Sequence, residues 1–216
     1  MIKQVDTDHP IIPNYTGLIL KKQKNLAVPA NSIEVLVNKE LVLSAEYVPQ
    51  DLVVPNIPFS FTEDLPKRKM RQEAARAVEM LFTQAEHDGL QLTSVSAYRS
   101  YLRQQEIFTH NSKVRGETEA NKVSARPGES EHQTGLAIDV SAPAVDYQLI
   151  EEFGETKEGR WLRENAHKYG FIIRYPKGKE ETTGYQYEPW HIRYVGREAA
   201  LVIAAKRLTL EEYTIT

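Results

Sequence analysis

The sequence contains no cysteine, which excludes disulfides and thiolate metal ligands alike. Such a chain suits a reducing cytosol and suits the surface of a Gram-positive cell equally well. No apolar run approaches the roughly eighteen residues that a membrane helix requires, so no segment reads as a bilayer span. Neither sign of charge dominates: 27 Lys and Arg stand against 30 Asp and Glu, a net of −3. That balance offers no overall electrostatic case for nucleic acid or for an anionic membrane surface. The opening residues, Met1-Ile2-Lys3-Gln4-Val5-Asp6, do not have the pattern of an export signal. Two expectations stay open on that point, a cytoplasmic protein or a chain without its export segment. Internal repeats and low-complexity tracts are also missing.

What is present is the composition of a globular protein. Hydrophobic residues make up 41% and charged residues 26% of 216, enough for one main domain with a sizeable core. Seven of the eleven prolines fall at positions 10, 13, 29, 49, 55, 58 and 66, which disfavours long helices there. Residues 1–65 are therefore expected to form an extended arm with a short hairpin or two, packed on a main domain of residues 66–216.

Within that domain, Met70, Ala74, Ala77, Val78, Leu81, Phe82 and Ala85 recur at three- and four-residue steps, predicting a helix over 67–88. Lys67, Arg68, Lys69 and Arg71 at its start read as a solvated basic turn rather than a nucleic-acid patch. Leu90 to Tyr98 alternates as a strand. Ser100 is a good N-cap for a helix reaching Phe108 or His110, which places Arg99 at a strand-to-helix junction. The polar tract from His110 to Val123 reads as a loop. Further on, short helices are expected over 147–153 and 159–169, with a strand from Phe171. A charged, glycine-containing loop over 177–185 suits the wall or lid of a pocket. A strand from Trp190 is followed by a helix over 197–208 that turns Leu201, Val202 and Ala205 inward. The histidines at 87, 110 and 167 read as solvated or packed rather than ligating.

The chemistry concentrates in two stretches. In Leu136-Ala137-Ile138-Asp139-Val140 the bulky residues alternate with Ala137 and Asp139, which is strand spacing. Asp139 therefore faces away from its bulky neighbours, and a carboxylate inside such a strand is expensive unless paired or bound to a metal. His132 lies in the polar loop feeding this strand, and His191 lies in the second apolar strand. Two imidazoles and one carboxylate match a catalytic zinc site whose fourth position is left to water. Glu188, three residues before His191, is placed to activate that water.

Three motifs carry a family resemblance: Ser96-Ala97-Tyr98-Arg99-Ser100-Tyr101 with Gln104; Ser130-x-His132-x-x-Gly135-x-Ala137-x-Asp139; and Glu188-Pro189-Trp190-His191. Together they resemble the zinc D-Ala-D-Ala carboxypeptidases, the family of the vancomycin-resistance dipeptidases and carboxypeptidases. That family is grouped with lysostaphin-type endopeptidases and the hedgehog signalling domain. In the arm, Val35-Leu36-Val37-Asn38-Lys39 and Tyr47-Val48-Pro49-x-Asp51-Leu52 are similar to Gram-positive surface LD-carboxypeptidases.

The resemblance implies Zn²⁺ held by His132, Asp139 and His191, with Glu188 as general base and Arg99 meeting the developing oxyanion. It implies Ser130 at the substrate's terminal carboxylate and Gln104, Arg126 and Trp190 as pocket residues. It implies an α+β fold: a mainly antiparallel sheet with strands beginning near Leu90, Leu136, Phe171 and Trp190, flanking helices on one side, and zinc on the open face. The expected activity is release of terminal D-alanine from peptidoglycan stem peptides by a monomer at the cell surface or wall, with no nucleic-acid partner. LD specificity, tetrapeptide to tripeptide, is the first expectation. DD-carboxypeptidase action on pentapeptides and a non-catalytic wall-binding module that keeps the zinc fold are the alternatives.

Overall fold

The computed structural model describes residues 29–215 and, in addition, the backbone of Leu20–Lys21. The rest of the arm's first 28 residues, with Pro10 and Pro13, lies outside the described residues. Two short antiparallel pairs come first in the chain: β1 (Leu20–Lys21) with β2 (Leu41–Val42), and β3 (Leu52–Val53) with β4 (Met70–Arg71). Next are α1 (Gln72–His87), β5 (Thr93–Ser96), α2 (Tyr101–Arg115), α3 (Glu117–Val123) and β6 (Ala137–Ser141). The remainder is α4 (Lys157–Asn165), β7 (Phe171–Tyr175), α5 (Glu180–Thr183), β8 (Glu188–Tyr194), α6 (Arg197–Lys206) and α7 (Leu210–Thr214). Four strands build the central sheet in the order β5-β6-β8-β7, every neighbouring pair antiparallel.

The register explains why this sheet has one apolar and one polar face. Ile138 pairs with Ile192, and Asp139 pairs with His191. Directly opposed residues project to the same side, so the isoleucines face one way and Asp139 with His191 the other. Against the apolar side lies α1, whose Ala74, Ala77, Val78, Leu81, Phe82 and Ala85 are all buried in one cluster with Leu136, Ile138, Val140 and Ile192. Leu81, fully buried, contributes about 1.5–3 kcal/mol by leaving water. Val35, Val37, Leu43 and Tyr47 of the arm join this same core.

Several elements differ from the sequence expectation. Lys67 and Arg68 belong to a 3₁₀ turn, and α1 starts only at Gln72. Their cations rest on the rings of Phe61 and Phe59, at 3.6 and 4.5 Å. The tract after His110 is helical: α2 continues to Arg115, and Gly116 in a positive-φ turn starts α3. Those helices bury only Gln104 and Ala120, so they carry no apolar stripe to announce them. In α6 the inward residues are Ala199, Ala200 and Ile203, whereas Leu201, Val202 and Ala205 are exposed. Helices also cover more than one side, because α6 and α7 bury Ile172, which alternates with Ile173 along β7. The segment over 147–153 is irregular until a 3₁₀ turn at Glu151–Glu155.

Candidate active site

Two loops and two strands bring the chemistry together. Ser130 opens a short 3₁₀ turn, Glu131–Thr134, which ends at Gly135 in the left-handed region. The positive φ at Gly135 favours glycine, and a Cβ there would also have to displace the Leu52 side chain, whose Cδ2 would lie 2.8 Å away. His132 thereby projects over β6, and its Nδ1 lies 2.7 Å from the Ala97 carbonyl oxygen. A carbonyl only accepts, so the imidazole proton sits on Nδ1 and Nε2 is left as a lone pair facing Asp139.

Asp139 bridges the two histidines. Its Oδ2 is 3.3 Å from His132 Nε2, and its Oδ1 is 3.1 Å from His191 Nδ1. The rings stand nearly perpendicular, at 87°, with centroids 4.9 Å apart. One ligand atom from each of the three residues lies within 4.8 Å of the others, and all three residues are buried. Asp139 Oδ1 is sealed from solvent yet accepts no hydrogen bond, an arrangement that suits a cation ligand. The donor set of two imidazole nitrogens and a carboxylate oxygen is the one zinc favours in catalytic sites. The residues therefore fit the metal.

The electrostatics follow from burial. Burial alone would raise Asp139, but His132 and His191 outweigh it and hold the carboxyl well below the usual range. For His132 burial wins, keeping the ring neutral despite Asp139. His191 is pushed up to about 9, because the flanking carboxylates of Asp139 and Glu131 overcome its burial. Glu188, whose Oε2 is 3.8 Å from His191 Nδ1, is raised by burial to about 7. Its side chain is 16% exposed, so it reaches the cleft.

Arg99 faces this group from the β5–α2 junction. Its Nη1 donates to Gln104 Oε1 at 2.9 Å, its Nη2 donates to Ser96 Oγ at 3.2 Å, and Nη2 is 3.9 Å from Asp139 Oδ2. The Ser100 hydroxyl caps α2 as the sequence predicts. A cleft of about 430 Å³ opens over these residues. Arg99, Ser130, Asp139, Glu188, Trp190 and His191 line it.

Gln104 and Arg126 stand elsewhere. Gln104 is almost fully buried behind Arg99, with its Nε2 donating to the Ala125 carbonyl, so it orients the arginine rather than facing the cleft. Arg126 pairs with Glu117 at 2.7 Å and lies over the Phe108 ring, outside the cleft lining. Sequence reasoning missed Tyr175 and Tyr185 in the wall, and it missed the buried charges of Glu131, Arg174 and Arg193. A signal for the arginines existed. Ile172-Ile173-Arg174 and His191-Ile192-Arg193 each set a charge inside an apolar strand, the same anomaly that marks Asp139.

Residues 67–197 match the VanY family, described as D-alanyl-D-alanine carboxypeptidase. This protein belongs to that family. As a member it is an enzyme, a zinc metallopeptidase of the carboxypeptidase class. The chain is 51% identical to the putative carboxypeptidase YodJ of Bacillus subtilis (strain 168) over 196 residues, covering 90% of this chain and 72% of that protein. The solved structure of the LdcB LD-carboxypeptidase superposes with a TM-score of 0.85 at 48% identity, covering 91% of this chain and 97% of that one. A mutant of the vancomycin-resistance D,D-pentapeptidase VanY from a VanB-type cassette, solved in complex with Zn(II), superposes with a TM-score of 0.66. It is 34% identical, and the match covers 84% of this chain and 98% of that one.

Proposed function

We propose that the protein removes the terminal D-alanine from peptidoglycan stem peptides as an LD-carboxypeptidase, converting tetrapeptide to tripeptide. The observation that carries the reading is the convergence of His132, Asp139 and His191 beside Glu188 and opposite Arg99, at the base of an open cleft. The preference for LD over DD rests on the higher identity and TM-score to LdcB than to the D,D-pentapeptidase.

His132 Nε2, an Asp139 oxygen and His191 Nδ1 would hold the zinc. A bound Zn²⁺ supplies Lewis acidity, which polarises a carbonyl and lowers the pKa of water to about 7. Glu188, in the cleft lining, takes the proton from the attacking water as the water's oxygen bonds to the scissile carbonyl carbon. It then passes that proton to the nitrogen of departing D-alanine as the C–N bond breaks. Burial gives Glu188 the raised basicity this shuttle needs. Arg99 meets the carbonyl oxygen as charge accumulates there, held in place by Gln104 and Ser96. Ser130, in the cleft lining, offers a hydroxyl for the terminal carboxylate, and Trp190 supplies apolar wall.

The arm belongs to this working unit. Lys39 Nζ donates to the carbonyl of Asn121 at 2.7 Å and to that of Gly184, and it lies 4.5 Å from the Tyr185 ring centroid. It thus ties the end of α3 to the loop carrying Tyr185, two sides of the cleft. Among the described residues no helix is long and apolar enough to cross a membrane. A peptidoglycan substrate implies action outside the cytoplasm, at the wall.

Incubation with purified tetrapeptide and pentapeptide, following released D-alanine, tests the reading. Faster release from tetrapeptide is expected. Faster release from pentapeptide overturns the LD assignment, and equal release by wild type and Glu188→Ala overturns the catalytic one.

A further inference from the structure

Behind the three ligating side chains lies a cluster of four buried or nearly buried charges that the mechanism does not use. Glu131, the residue before His132, has a side chain with no solvent exposure. Its Oε1 accepts from Arg174 Nε at 2.7 Å and from Arg193 Nη1 at 2.6 Å, both guanidiniums being equally enclosed. Arg174 is gripped on its far side by Glu211 of α7, at 2.9 and 2.6 Å. Arg193 also donates from Nε to the carbonyl of Tyr194 and from Nη2 to those of Ile33 and Val35.

The second oxygen of Glu131 is treated differently. Oε2 makes no hydrogen bond, and it lies 3.6 Å from His191 Nε2, which also makes none. Two buried polar atoms are rarely both left unpaired, and a gap this short admits no bridging water. The pairing has a directional logic. With Nδ1 given to the zinc, the ring's proton would sit on Nε2, whose nearest carboxylate is Glu131 Oε2 at 3.6 Å. His132 repeats the pattern with its roles reversed around the ring: Nε2 faces inward and Nδ1–H is held by the Ala97 carbonyl.

Resting on the zinc carboxypeptidase reading, we infer that Glu131 is the positioning residue for His191. Its Oε2 fixes the tautomer and orientation of the ligating imidazole, while Arg174 and Arg193 anchor Oε1. Two guanidiniums keep the group a carboxylate inside the protein, where an isolated one would not persist. The strand arginines and α7 then serve the metal site from outside it.

The test compares each Glu131→Gln protein with a parent that keeps Glu131. Glutamine preserves shape and removes the charge. Because the single variant leaves two arginines facing one acidic partner, the change is also made on Arg174→Gln, where the charges stay balanced. Zn²⁺ affinity is read by chelator competition, and Co²⁺-substituted protein gives the ligand-field spectrum of the site. Loss of an outer-shell partner of this kind weakens metal binding about 10- to 100-fold. That loss, with altered Co²⁺ bands and a retained cooperative melt of the metal-free protein, is the expected result. A Zn²⁺ Kd within twofold of the parent, with unchanged Co²⁺ bands, overturns the inference. Wild-type titration separates the two levels: no zinc binding there fails the metallopeptidase reading, whereas tight wild-type binding undiminished by Glu131→Gln fails this inference alone.

Discussion

Replacing Arg99 by methionine removes every donor of the guanidinium while keeping much of its apolar stem. In the folded protein the group is 20% exposed and makes two side-chain hydrogen bonds, to Gln104 and Ser96. The structural cost is the buried Gln104 oxygen left without a donor, about 1–3 kcal/mol, which a domain of ordinary stability survives. The catalytic cost is larger. Loss of one donor to a developing oxyanion raises the barrier by about 2.7–4 kcal/mol, or roughly 10²–10³ in kcat. Since the charge on the carbonyl oxygen appears only in the transition state, kcat and kcat/KM should fall together while KM stays within a few-fold. Zinc content should be unchanged, because Arg99 contributes no ligand. The assay is steady-state release of D-alanine from tetrapeptide, with zinc per chain measured on the same protein. Arg99→Lys should fall between the two, keeping charge but lacking the planar fork that reaches Gln104, Ser96 and substrate at once. A kcat within about fivefold of wild type in Arg99→Met, with zinc retained, would refute the oxyanion role. A loss confined to KM would reassign Arg99 to ground-state binding.

Glu188→Ala should lower D-alanine release by about 10²–10⁴ while leaving zinc in place, the range expected for a lost general base. The pH profile follows from the same group. Burial raises Glu188 to about 7, and an adjacent dication pulls it down. Because the base works only when deprotonated, kcat/KM should fall as pH drops through a pKa at or below about 7. That acidic limb should vanish from the residual activity of Glu188→Ala, and the same limb persisting in the variant would speak against the assignment. Glu211→Ala should destabilise the fold by about 1.5–3 kcal/mol in denaturant melts, since Arg174 is fully enclosed and Glu131 is then its one carboxylate partner among the described residues; a change under 0.5 kcal/mol would contradict it. Lys39→Ala should raise KM several-fold with little change in kcat, because it loosens the cleft walls without touching the reacting groups; an unchanged KM would remove Lys39 from the cleft's architecture.

The sheet was legible because its strands break their own pattern in informative places. Asp139 among Leu136, Ile138 and Val140 announced a polar face, and the β6–β8 register puts His191 beside it. The stripe of α1 was equally plain, since every residue named for it is buried. The end of α2 beyond His110 and the whole of α3 were not legible, because nearly all of their side chains meet solvent and periodicity reports only on burial. The rotation of α6 was misread for a related reason: in a run as apolar as Ala199 to Ala205, several faces look equally suited to the core. The metal-ligand set could be named from residue types and spacing. The tie from Gln104 to Arg99 and the charge row from Glu131 to Glu211 could not, because each joins side chains whose proximity is created only by folding.

Zinc stoichiometry in the ligand variants shows whether His132, Asp139 and His191 hold the metal. Elemental analysis of folded protein prepared with Zn²⁺ should give one zinc per chain for wild type and for Glu188→Ala, and far less for His132→Ala and His191→Ala. One zinc per chain retained in both histidine variants would contradict the account.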